Sequence, residues 1–268
     1  MRKLILITLT NLTLCCGAIA AQSDYEAAFL AAKENPTDKA KVEAFAKLLP
    51  KHGDRYVVDG DVLVTDRQLV GYLMEHSAPA APVKGELIVN IADGHLDKWG
   101  RDERILTYQI DTAGFGDKTD MVRKNLAAAA KEWTNACGKK CGIRFQEHTG
   151  EGEPTFKVRK VSGAPFIAAA FFPSTAPIDR VLEVDDQYFT TTFDKVGVFR
   201  HELGHVLGYR HEHIQGIPGC KQEGGERKAI TPYDGKSVMH YLCGGAGNPK
   251  LTLSSQDKDG HTQNYSTD

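Results

Sequence analysis

The sequence predicts an α+β domain, and three observations point to it. Strand-like runs such as Ile105–Ile110, Gly142–Glu147 and Thr155–Arg159 are interleaved with helical stretches. One helical run is long, from Thr119 to about Ala136, with Thr119 or Asp120 as the expected cap. A second helix, starting near Thr192 to Asp194, runs into His201–His213, where the chemically capable side chains concentrate.

From the N-terminus, Met1-Arg2-Lys3 precedes an apolar run from Leu4 to Ala20 that ends Ala18-Ile19-Ala20-Ala21. A basic start, an apolar middle and small residues at the end describe a removable secretory leader, residues 1–21. The run is short and interrupted by polar residues, so stable membrane insertion is not expected. Leu14 before Cys15 is a poor fit to lipoprotein processing. The mature chain is therefore expected to be secreted or periplasmic.

Residues 22–84 read as a small pro-segment or accessory module. Helical signals over 24–50 break at Pro36 and Thr37. A strand–turn–strand pattern follows at Arg55–Val64, then a short helix at Arg67–Met74 and a linker marked by Pro79 and Pro82. Residues 85–268 form the body. Within it Phe166–Phe172 and Arg180–Val184 are further strand candidates. The formal charge of −2, with no basic cluster, argues against a nucleic-acid partner. Cys137, Cys141, Cys220 and Cys243 remain after the leader, an even number that favours disulfides in an exported chain. Proximity suggests Cys137–Cys141 and Cys220–Cys243, although sequence alone allows three pairings.

In His201-Glu202-Leu203-Gly204-His205 the two histidines are about 400° apart on a helix, so their imidazoles leave one face a turn apart and can share a metal. Glu202 stands about 100° to the side, where its carboxylate can take a proton from metal-activated water. A continuing helix would carry His211 away from that face. Gly208 allows a left-handed turn that brings it back as a third ligand. Three histidines, an open fourth position and an adjacent base describe a catalytic Zn²⁺ site.

This pattern, with Ser237-Val238-Met239-His240-Tyr241 downstream, resembles the metzincin metallopeptidases. The latter segment and Glu212 are closest to the astacins, and bacterial dual-action HEIGH metallopeptidases look similar. Lys98-Trp99 followed by Ile105–Ile110 resembles the first strand of metzincin domains. The resemblance implies a twisted, mostly parallel sheet with a long helix and a zinc-site helix, preceded by a small N-terminal segment. It implies a zinc metalloendopeptidase with His201, His205 and His211 as ligands, Glu202 as general base and Met239 as an apolar floor. Tyr241 would reach the metal or the oxyanion, or be structural.

The resemblance also implies a peptide or protein substrate laid extended along a sheet edge, for which Pro165–Phe172 is favoured by position. The loop 216–230 would help to shape the pocket beside the scissile bond, where Arg227 and Lys228 would favour acidic side chains or be plain solvated surface charges. Val58-x-Gly60-Asp61-Val62 resembles the core of astacin pro-segments, which makes Asp61 a candidate inhibitory zinc ligand in a zymogen. The plain alternative is a D-G-D turn between strands. His213 and His240 are read as surface or supporting histidines. Asp93, Asp97, Asp102, Asp185 and Asp186 are candidate calcium ligands without a loop pattern. The alternative function is a non-catalytic binding or scaffold protein stabilised by zinc.

Overall fold

The computed structural model describes residues 24–74 apart from 26, 87–215, 217–220 and 227–266. The expected leader and the linker carrying Pro79 and Pro82 lie outside the described residues. The chain divides into two compact units, before and after the junction of Leu49 and Pro50. In the first, residues 27–34 are helical, and a second helix, Lys39–Ala46, restarts after Pro36 and Thr37. Asp38 caps it by accepting from the amides of Ala40 and Lys41. Tyr25 and Phe29 pack on Phe45, each with ring centroids 5.4 Å away.

The second unit, Pro50–Asp268, carries every residue of the candidate site. It opens with β1 (Lys51–His52), β2 (Arg55–Val58) and β3 (Val62–Val64), an antiparallel meander followed by the helix Asp66–Met74. Then come β4 (Ile88–Ala92), β5 (His95–Leu96), β6 (Ile105–Ile110), β7 (Arg144–Glu147), β8 (Phe156–Lys160), β9 (Ala168–Ala169), β10 (Val181–Val184), β11 (Tyr209–Arg210) and β12 (Arg227–Ala229). The main sheet has the order β7-β6-β8-β10-β9, with the first four strands parallel and β9 antiparallel to β10. The main sheet is thus mostly parallel, as expected, whereas the β1–β3 meander and the pairings of β4 are antiparallel.

Side-chain alternation explains how the sheet is covered. Leu106, Tyr108 and Ile110 of β6 and Phe156 and Val158 of β8 face the core, while the residues between them are more exposed. In β10, Glu183 is fully buried as well as its neighbours, because the β2–β3 hairpin lies over that face. Arg55 of β2 forms a short ion pair with the Glu183 carboxylate, joined by Arg159 at 2.5 Å. Val57 and Leu63 of the hairpin pack with Ala164, Phe166 and Ala169.

The long helix is Thr119–Cys137. Its N-cap is Lys118, without a side-chain cap, rather than Thr119 or Asp120. The Thr119 hydroxyl instead donates 2.8 Å to the Gly116 carbonyl of the preceding 3₁₀ turn, which leads straight into the helix. Val122, Leu126, Ala129, Ala130 and Trp133 form its buried stripe. Each large member contributes about 1.5–3 kcal/mol by leaving water. The stripe packs on the helix Lys195–Val206, and Trp133 Nε1 donates 2.8 Å to the Arg200 carbonyl.

Two parts of the fold fall outside the sequence reading. β4, which joins β11 and β12 into a second sheet, lies just after the presumed linker. The C-terminal helix Ser255–Ser266 is so polar that no apolar stripe announces it, yet Tyr265 is fully buried and its hydroxyl donates 2.9 Å to the Leu207 carbonyl.

Candidate metal centre

Asp194 opens the helix Lys195–Val206 by accepting 2.6 Å from the Gly197 amide, and every residue from Gly197 to Val206 is buried. His201 and His205 leave one face with ring centroids 5.0 Å apart. The helix stops at Leu207, and Gly208 takes φ +89°. Any Cβ there would also collide with the Asp97 carbonyl, so glycine is required twice over. The chain reverses into β11, which pairs with β4 and delivers His211 beside His201.

Backbone carbonyls set the tautomers. His201 Nδ1 lies 2.7 Å from the Val238 carbonyl and His205 Nδ1 lies 2.8 Å from the Tyr209 carbonyl. A carbonyl only accepts, so each Nδ1 carries the proton and each Nε2 presents a lone pair. Burial, against the pull of Asp61, holds His205 down at about 4, so the ring is neutral near pH 7. The Nε2 atoms of His201 and His211 are 3.1 Å apart. An Asp61 oxygen lies 3.2 Å from His201 Nε2, and the other lies 3.3 Å from both His205 and His211 Nε2.

Lone pairs and a carboxylate gathered this closely repel one another unless a cation sits among them. The three imidazole nitrogens and the Asp61 carboxylate, whose ligand atoms all lie within 4.8 Å of one another, are donors that zinc takes at about 2 Å. The donor set therefore fits a small divalent metal ion.

Glu202 is buried beside this cluster, and its Oε2 has no hydrogen-bond partner among the described residues. Burial, then the charge of Asp61, pushes its carboxyl well above the usual range, with His211 pulling the other way. Below the helix, Met239 is fully buried and its sulfur lies so close to Gly204 that a methyl group there would overlap it. The turn that carries Met239 is held from the C-terminal helix: Asp257 accepts 2.6 Å from the Ser237 hydroxyl and 2.9 Å from the Val238 amide. Sequence reading missed Asp257, since an acid in a polar helix carries no local signal. The disulfides are Cys137–Cys141 and Cys220–Cys243, and the second ties the chain after β11 to the chain after Met239.

Asp59-Gly60-Asp61 is the tip of the β2–β3 hairpin, so the turn and the carboxylate that faces the three histidines are one feature. The hairpin occupies the expected sheet edge. The Ala170 amide donates 3.0 Å to the Asp61 carbonyl, and the Leu63 amide donates 3.2 Å to the Ala170 carbonyl. The strand expected over Phe166–Phe172 shortens to Ala168–Ala169, because past it the pairing passes to the hairpin. The Tyr241 hydroxyl donates 2.7 Å to Asp61 Oδ2 and lies 3.2 Å from the Asp59 carbonyl. A cavity of about 360 Å³ opens next to Asp61 and Glu202, walled by Phe166, Phe193, Val198 and Leu251.

Other expectations change. Of the surface and supporting readings of His213 and His240, burial leaves the supporting one. They cluster with Cys243, but that sulfur is in a disulfide, and His240 uses Nδ1 on the Tyr241 carbonyl and Nε2 on the Tyr233 hydroxyl. Arg227 and Lys228 lie in β12 against β4 and do not line the cavity. Asp97 accepts from Ser174 and Asn90, and Asp185 from the Ala164 and Gln187 amides, which gives both carboxylates structural partners. Among the described residues, none of the five aspartates proposed for calcium belongs to a metal-capable cluster.

No family model and no curated protein matches this chain. Among solved structures it is similar to that of myroilysin, with 20% identity and a TM-score of 0.47 over 63% of this chain and 95% of that one. So distant a likeness carries no chemistry across.

Proposed function

We propose that this protein is an exported zinc metalloendopeptidase of metzincin, astacin-like type, made with its site closed by its own Asp61. The observation that carries the reading is the convergence of three imidazole Nε2 atoms beside the buried Glu202 carboxylate. Bound by His201, His205 and His211, zinc supplies the Lewis acidity that polarises a peptide carbonyl and acidifies water. Glu202 accepts the proton of the attacking water and returns it to the leaving amine, and a carboxyl raised by burial suits both tasks. Tyr241, released from Asp61, donates to the developing oxyanion. The substrate lies extended along β9 in place of the hairpin, with one side chain in the apolar cavity. Export is supported by the two disulfides and the leader-like start, and among the described residues no helix is long and apolar enough to cross a membrane. Removal of residues 22–84 would activate the chain; mass spectrometry of the secreted protein should then find a mature N-terminus between about Ser77 and Leu87, ahead of β4.

One observation favours a second reading. With Asp61 in place the cluster has four protein donors, the composition of a structural zinc site. Such a site has no use for Glu202, whose burial is costly. Processed protein and its Glu202→Gln variant should both bind zinc, while hydrolysis of a mixed peptide library falls by roughly 10²–10⁴-fold in the variant. Equal activity in the two removes Glu202 as base. Global unfolding on chelation, without hydrolysis at any stage, establishes the structural site instead.

A further inference from the structure

The hairpin tip carries a second aspartate. Asp59 is almost fully buried, and its carboxylate forms a short ion pair with Arg210, itself 1% exposed. Its other oxygen accepts 2.9 Å from the Tyr72 hydroxyl. Arg210 belongs to β11, one residue before His211, and its guanidinium stands near the Phe172 and Tyr72 rings.

The backbone at Asp59 shows that a turn alone does not explain this residue. It has φ +58°, the left-handed conformation in which glycine is least strained. Asparagine or aspartate tolerates it, but only a carboxylate also neutralises the buried Arg210. The two aspartates thus face different cations: Asp61 faces the metal cage, and Asp59 faces a guanidinium that is charged whether or not a metal is bound.

We propose that Asp59 and Arg210 form a metal-independent latch that keeps the hairpin seated in the cleft when the cage is empty. The inference rests on the reading of the cage as a metal site. It makes Asp59 a positioning residue that holds Asp61 in register, with or without its ion. Stripping the metal then leaves the cleft shut, and opening it requires removal of the hairpin.

Hydrogen exchange on the full chain tests this without any activity measurement. The Leu63 and Ala170 amides report seating, because both bonds cross between the hairpin and the chain beyond β9. The Leu106 and Val158 amides, in the main sheet, report global folding. With zinc bound, wild type and Asp59→Asn should both protect the reporters. After chelation, wild type should stay within tenfold of its zinc-bound rates, whereas Asp59→Asn should exchange at least a hundredfold faster with the main sheet unchanged. Tyr72→Phe, which removes one hydrogen bond and leaves both charges, should fall between them and carries the test if Asp59→Asn does not fold. Wild type opening on chelation as fully as the variants overturns the latch, as does a variant that stays shut without metal. If the protein takes up no zinc, the metal reading fails by itself. Comparison of metal-free wild type and variants then still decides the role of Asp59.

Discussion

Acid should weaken this fold through a buried histidine outside the candidate metal cluster. His261, in the C-terminal helix, is fully buried, with its Nδ1 2.7 Å from the Tyr209 hydroxyl and its Nε2 unpartnered among the described residues. Burial, with a smaller push from Arg104, takes it from 6.5 down to about 3. A histidine depressed in the folded state costs nothing above its unfolded value. Stability is lost as pH falls from 6.5 towards 3, because only the unfolded chain gains the proton. At pH 5, which is 1.5 units below 6.5, the loss is about 2 kcal/mol at 1.36 kcal/mol per unit. That figure depends on the unfolded value alone, provided that the folded one lies well under 5. His261→Asn keeps an acceptor near Tyr209 and removes the titration. Its smaller volume costs stability equally at every pH, so the pH-dependent part can be isolated. Urea unfolding at pH 7.5 and 5.0 should show wild type losing about 2 kcal/mol more than the variant. Parallel losses would refute the argument, since the other histidines titrate in both proteins.

Two further outcomes follow from the geometry of the site. Gly208→Ala meets both a left-handed φ, costing about 1–2 kcal/mol, and the Asp97 carbonyl, so His211 must move. Competition with a chromophoric chelator should show zinc affinity at least tenfold weaker, and an unchanged affinity would exclude His211 as a ligand positioned by this turn. Replacing Cys220 and Cys243 with serine opens a loop closed over a sequence separation of 23, worth about 3 kcal/mol by loop entropy. A denaturation midpoint that does not fall would show that the bridge leaves the unfolded chain unconstrained.

The candidate metal centre was legible because its three histidines sit within one short stretch governed by helical geometry. A spacing of four residues determines that His201 and His205 share a face in any surroundings, and Gly208 marks the reversal that His211 needs. The long helix was legible for the same reason, through the stripe from Val122 to Trp133. Its cap was not, since Thr119 bonds to a preceding turn that has no clear signature. The C-terminal helix was invisible because it is held by single polar contacts, such as those of Asp257, rather than by an apolar face.

By itself, then, the sequence determined the α+β class, the three histidines and the adjacent glutamate, through short-range periodicity and the turn that Gly208 permits. Only the tertiary structure decided what faces them. Asp61 lies 140 residues before His201, and nothing local to Val58–Val62 distinguishes a solvent-facing turn from one buried in a cleft. Pairing with Ala170 seats that turn, and Arg210 supplies the charge that makes a second buried aspartate tolerable. Contacts between residues so far apart depend on how sheet and hairpin stack. Stacking is set by the burial of the whole chain rather than by any one segment of it.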